Sequence, residues 1–164
     1  MNGTGGIHIQ GVQNFNVADV TGNTNADLTV SMTLADPGMA GGSAGGINKT
    51  GAGTMAISKQ TTYTGGTTVS DGVLDLTGGG GSGGTIRGTA TVNTGGTLRL
   101  SIGDATGYGT GSDRISVMNL AGGTLNVNTT SNQTASNLAI TMTGGTISGI
   151  TNSNLDLFNN GTSI

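Results

Sequence analysis

Residues 49–67 read KTGAGTMAISKQTTYTGGT. Four of these nineteen positions are glycine, six are threonine, and the only charges are Lys49 and Lys59. A helix is a poor solution for such a stretch, because glycine costs about 1 kcal/mol per interior position relative to alanine and threonine is also a weak helix former. The apolar residues alternate instead. In TMAIS (54–58), Met55 and Ile57 share one side of a pleated segment. Glycine reaches the positive φ angles of a sharp corner, and a β-branched threonine suits the start of the strand that follows. The stretch therefore reads as short strands joined by glycine corners.

The same pattern extends in both directions. DLTVSMTL (27–34) alternates throughout, with Leu28, Val30, Met32 and Leu34 on one face. VLDL (73–76), TLRLSI (97–102), RISVMNL (114–120), TLNVN (124–128), NLAITM (137–142) and LDLF (155–158) repeat it. The triplet GGT stands between strands at 65–67, 83–85, 95–97, 122–124 and 144–146. Its steps are 18, 12, 27 and 22 residues. Three lie near one solenoid coil, and the 12-residue step reads as one side of a coil.

Composition narrows the choice. Of 164 residues 34 are glycine, aromatics are 2% and charged residues 8%, against roughly 25% charged in ordinary soluble chains. Leu, Ile, Val and six Met are thinly spread, enough for a narrow core and too little for a wide one. The net charge of -3 and the regular apolar alternation argue against disorder. The glycines do not recur every third residue and proline occurs once, which excludes collagen. Without cysteine there is no disulfide framework and no thiolate metal site. The five basic residues, Lys49, Lys59, Arg87, Arg99 and Arg114, are scattered, so no nucleic-acid partner is expected. No apolar run approaches the ~20 residues of a membrane span. MNGTGGIHIQ lacks the basic start and apolar centre of a secretory signal, so residues 1–164 are expected to form one domain that is an internal fragment of a longer chain. The fold that meets these limits is all-β: a parallel β-solenoid of about six or seven coils, filled by ladders of Leu, Ile, Val, Met and Ala. An antiparallel sandwich is the alternative.

Residues 45–76, GGINKTGAGTMAISKQTTYTGGTTVSDGVLDL, resemble the autotransporter-associated β-strand repeat, also called the passenger-associated transport repeat. Gly45, Gly46, Ile47, Lys49, Gly51, Gly53, Met55, Ile57, Tyr63, Gly65, Thr67, Val69, Gly72 and Leu74 carry the resemblance. GSDRISVMNLAGGTLNV (111–127) resembles passenger segments less specifically. The resemblance implies a right-handed parallel β-helix exported to the bacterial cell surface as part of a long stalk. The structural motif residues are then Lys49, Gly51, Gly53, Tyr63, Gly65, Thr67 and Gly72. Of these, Gly51 and Gly53 permit a corner before Met55. Tyr63 is expected to cover a core edge with its hydroxyl wet. Lys49 is expected to bond corner carbonyls or to pair with an Asp of a neighbouring coil.

Chemistry-bearing patterns are sparse. His8 is the only histidine and reads as a surface residue. GGGGSGG (78–84) lacks the Gly-Lys-Ser/Thr ending of a phosphate loop and reads as a flexible corner. Asp71 and Asp75, with Arg87 and Arg99 from neighbouring coils, are the candidates for a polysaccharide-cleaving site, which needs two carboxyls at a defined separation. Asp104 and Asp113 flank a loop, 103–113, as candidate weak cation ligands. Outward threonines of TTYTGGTT, TVNTGGT and TMTGGT are candidates for a flat ice-binding ladder. The leading expectation is a non-enzymatic spacer of an exported surface protein, without cofactor, its partners being neighbouring repeats of the same chain. The alternative is an adhesin for a glycan or host surface, using an outward sheet or the 103–113 loop. Unpaired strands at the coil ends predict end-to-end self-association.

Overall fold

The computed structural model describes residues 5–109 and 111–158. Its strands are β1 (Gly6–His8), β2 (Gly11–Asn16), β3 (Leu28–Val30), β4 (Thr33–Ala35), β5 (Gly45–Thr50), β6 (Thr54–Ile57) and β7 (Thr67–Val69), followed by β8 (Gly72–Leu76), β9 (Gly88–Asn93), β10 (Gly96–Leu100), β11 (Ile115–Val127), β12 (Gln133–Ser136), β13 (Ala139–Gly149) and β14 (Leu155–Phe158). Every pairing among them is parallel, which removes the antiparallel sandwich. The chain is a right-handed parallel β-solenoid of about six turns.

Each turn has three sides. The first side stacks β2, β5, β7, β9 and the leading halves of β11 and β13. The second stacks β3, β6, β8, β10 and the trailing halves of β11 and β13. The third contains the pairs β1–β4 and β12–β14. Backbone bonds continue it between these pairs, from Thr62 N to Leu34 O (2.7 Å), Thr61 N to Thr85 O (2.9 Å) and Thr85 N to Ala105 O (2.8 Å). Equivalent residues Gln13, Ile47, Thr67, Ala90, Met118 and Ile140 stack on the first side, so coils run from 20 to 34 residues. Coil length varies mainly at the corners while the sides largely keep register, with one shift at Ile115–Val117, because the sides share a hydrogen-bond ladder.

Two sequence readings change here. The three GGT triplets ending at Thr97, Thr124 and Thr146 occupy one corner in register, so the 27- and 22-residue steps are full coils. The triplet at 65–67 instead enters the first side and the one at 83–85 enters the third. The 18-residue step is therefore not a coil, and the 12-residue step covers two sides rather than one. DLTVSMTL is likewise not one strand: β3 and β4 are separated by a corner at Ser31–Met32, and Met32 is exposed. An alternating apolar pattern survives a turn whenever the corner contains an even number of residues, so periodicity alone does not reveal it.

The interior consists of ladders of like residues. Met55, Leu74, Leu98 and Leu125 form one, and Ile57, Leu76, Leu100 and Val127 the next, all essentially excluded from water. Each such side chain contributes about 1.5–3 kcal/mol on burial. In the last coil Ile147, the next rung of the first ladder, and Met142, which follows Val69, Val92 and Leu120 on the first side, are 43% and 47% exposed, because no coil covers them among the described residues.

The corner between the first and second sides sets the approach of the coils. Gly53, Gly72, Gly96, Gly123 and Gly145 form a column there, one per coil. A Cβ on any of them would run into a backbone carbonyl of the preceding coil: Ala18 O, Gly51 O, Val69 O, Asn93 O and Gly123 O respectively. The run 78–84 is a corner as well, but a filled one: side chains at Gly78, Gly79 and Gly80 would meet the backbone at Ser58, Gln60 and Gly103.

Segment 18–27 folds back across the outer surface of the second side. Asp27 fastens it, accepting from Val20 N and Thr21 N on one carboxylate oxygen (2.9 Å each) and Thr54 N on the other (2.8 Å). These bonds, Thr54's and Thr21's first, outweigh the opposing desolvation and draw the Asp27 pKa down to about 2. Arg99 Nη2 donates to Thr24 O (3.3 Å) further along the segment. Ala56 and Asp75 alternate with inward residues, yet they are only 5% and 7% exposed beneath this cover.

Gly96→Val is expected to destabilise the fold by about 2–4 kcal/mol, since the clash is with backbone and cannot relax by a rotamer change. Gly38→Ala, which meets open space, is expected to stay within about 0.5 kcal/mol. Urea unfolding followed by far-ultraviolet circular dichroism measures both; equal effects would remove the stacking role of the column.

Candidate functional site

The polar residues of the 45–76 motif point into the solenoid. Lys49 occupies an inward position of β5, stacked between Phe15 and Val69, and is fully buried. Its stem lies in the core and its ammonium reaches the first corner. There it donates to Gly51 O (2.7 Å), Asp71 O (3.0 Å) and Thr50 O (3.1 Å). An ammonium carries three donors and here each has a carbonyl. Two of the carbonyls belong to Lys49's own corner and the third to the corner of the next coil, so one side chain ties two turns together. Asp71 contributes its backbone, while its carboxylate accepts from Gly72 N (2.9 Å). Desolvation lowers the Lys49 pKa, opposed by the charges of Asp71 and Asp27. Gly51 has φ 77°, and a Cβ there would strike Asn16 Oδ1 (2.5 Å) and Val17 O (2.6 Å).

Tyr63 is also fully buried. Its hydroxyl shares a 2.6 Å hydrogen bond with the inward Thr67 Oγ1, and burial pushes the phenol well above its ordinary range. The expectation of a wet hydroxyl is therefore corrected: an aromatic body and its polar tip are both enclosed, because Thr67 supplies the partner that water would have been. Gly65 donates its N–H to Gly45 O (2.6 Å), and a side chain there would meet that same oxygen (2.5 Å). Thr67 and Gly72 stand at the starts of β7 and β8.

Of the acids and bases singled out in the sequence, Asp75 and Arg99 meet, while Asp71, Arg87, Asp104 and Asp113 serve other partners. Asp75 accepts from Arg99 Nη2 (2.7 Å) and Ser101 Oγ (2.6 Å) on the second side. Arg87 pairs with Asp113 (3.0 Å) at the entry to the first. Asp104 accepts from Thr134 N (2.8 Å) at φ 51°, so Asp104 and Asp113 serve different partners. No group of three or more potential metal ligands occurs among the described residues. The outward row of the first side reads Asn14, Asn48, Thr68, Thr91, Asn119 and Thr141. Its asparagines bond along the row, Asn48 to Asn14 (3.0 Å) and Asn119 to Thr91 (3.4 Å). Of the candidate ladder threonines, Thr97, Thr124 and Thr146 stack in register at the corner and Thr68 on Thr91 on the first side.

Sequence reasoning passed over one assembly. His8 (β1), Thr33 and Ala35 (β4), Asp36, Lys59, Gln60 and Thr62 line an open cleft of about 550 Å³ with Gly6 on the third side. The only available signal was composition, since residues of three successive coils, 23 to 56 positions apart, meet there through stacking.

This architecture, a parallel solenoid whose corners are closed by glycine and by an interior lysine, defines a structural repeat segment. Residues 47–76 match the passenger-associated-transport-repeat family. No curated protein and no solved structure matches the chain. Residues 47–76 thus carry the pattern of a passenger-associated transport repeat, set within a right-handed parallel β-solenoid.

Lys49→Met preserves the stem and leaves the carbonyls of Thr50, Gly51 and Asp71 without their ammonium donor. It is expected to cost about 2–4 kcal/mol in urea unfolding at pH 7. Because the folded-state pKa lies below 10.5, the unfolded chain holds the proton more tightly between the two values. Wild-type stability should therefore rise with pH across that window relative to Lys49→Met; a constant difference would contradict the coupling.

Proposed function

We propose that residues 1–164 act as one stiff spacer unit whose ordered stacking outside the cell helps draw the exported chain outward. The observation that carries this reading is the Lys49 tie: its ammonium is satisfied only once the next coil delivers Asp71 O. Each added coil thereby completes the hydrogen bonding of the one before, which favours growth from an existing coil over independent folding. Replacing Gly51 and Gly53 by Val blocks that corner. Secretion of the repeat-bearing parent chain is expected to fall several-fold; undiminished export of a chain whose 45–76 coil is protease-sensitive would sink the proposal.

A second reading concerns contacts between molecules. β13 has an unpaired edge among the described residues, flanked by Met142 and Ile147. Such an edge is a template for another chain, and we propose end-to-end association through it. Sedimentation velocity of the 164-residue chain should show concentration-dependent oligomers that Ile147→Lys disperses; an unchanged monomer at all concentrations argues otherwise. The cleft on the third side favours, in addition, an adhesive role toward a surface glycan.

A further inference from the structure

We infer that the third-side cleft is a subsite for a carboxylated saccharide, an inference that rests on the adhesive reading just given and narrows it to acidic sugars. Three observations lead there. First, the cleft's own carboxylate is already engaged. Asp36 Oδ1 accepts from Gly45 N (2.6 Å) and Thr64 N (3.2 Å), and Oδ2 from Thr64 Oγ1 (2.7 Å). Asp36 therefore closes the corner between β4 and β5 instead of facing a ligand. Burial works against its charge, but the bonds from Thr64 and Gly45 and the Arg87 charge outweigh it and keep the acid ionised.

Second, the cation in the cleft is unengaged. Lys59 is exposed and forms no ion pair among the described residues, unlike Arg87 and Arg99. A lysine ammonium at the wall of a cleft is suited to one carboxylate as a point charge. Third, the remaining groups suit hydroxyls. The Nδ1–H of His8 donates to the backbone oxygen of Asp36 (2.9 Å). A carbonyl can only accept, so Nδ1 carries a proton and Nε2 is the ring nitrogen left for a ligand hydroxyl. Thr33 and Thr62 add hydroxyls, and Gln60, whose Nε2 is held by Gly84 O (3.0 Å), has its amide oxygen left as an acceptor. One unpaired cation, small residues Gly6 and Ala35, and several hydroxyl partners match a sugar ring bearing a carboxylate. The volume is that of a small-molecule site, and its open side suits one or two units of a longer chain.

The test titrates the full chain with digalacturonate, its neutral counterpart digalactose and acetate, following the His8 and Gln60 side-chain NMR signals. Digalacturonate is expected to shift both signals and to bind at least about tenfold more tightly than the other two. Lys59→Gln should reduce that affinity about tenfold, the low end for a charge-assisted bond at an exposed site, and bring it to the level of digalactose. Lys59→Arg should retain most of it. Digalactose and digalacturonate binding alike at this cleft would overturn the acidic-sugar assignment and leave the adhesive reading standing. No shift with either sugar would overturn both. Acetate binding as well as digalacturonate would reduce the cleft to a carboxylate site with no use for the sugar ring.

Discussion

Coil-on-coil spacing is the constraint on which the rest depends. Parallel strands bond at about 4.8 Å, and every side of this solenoid must keep that distance to every turn. The corners must then pass over one another at the same height. Five stacked glycines make this possible where the first side meets the second, since a methyl group at any of them would occupy the position of a carbonyl oxygen beneath. The glycine content that makes the sequence look poor in structure is a requirement of the stacking, not a sign of looseness.

The second requirement is to satisfy the corner carbonyls once the corners are buried. A strand's backbone groups are paired by its neighbours above and below, but a corner turns its oxygens out of the ladder. Lys49 resolves this by entering from the core side and donating to three of them. Tyr63 and Thr67 satisfy each other in the same interior, and Gln133 does the equivalent near the far end, accepting from Ala105 N and donating to Ile102 O. Lys49 and Gln133 are therefore stitches between turns, while Tyr63 and Thr67 close one turn on itself. The cost in desolvation of Lys49 and Gln133 is offset because their donors meet carbonyls that would otherwise be orphaned.

Function follows from the same arrangement. A column whose turns complete one another is stiff and extends by addition, which suits the spacer role proposed for it. Its exterior is free to carry other work. The outer second side is roofed by segment 18–27, the outer first side is an uncharged Asn/Thr surface, and the third carries the cleft around His8 and Lys59. Recognition, if localised on one side, leaves the stacking machinery untouched.

Much of this was legible in the residues themselves. Strand character in 54–57, 72–76, 96–100 and 124–127 follows from two-residue alternation, and the 45–76 pattern marks a solenoid turn, because local geometry repeats wherever the same backbone angles repeat. What lay beyond reach was which corner each glycine serves. GGT at 65–67, 83–85 and 95–97 is one string placed at three different bends, and Ser31–Met32 bends with no glycine at all. The inward turn of Lys49, the enclosure of Tyr63, the roof over Asp75 and the meeting of His8 with Lys59 likewise belong to the tertiary structure alone. They depend on which residues the stacked coils set beside one another, and that placement is fixed by the shared ladder rather than by any local preference.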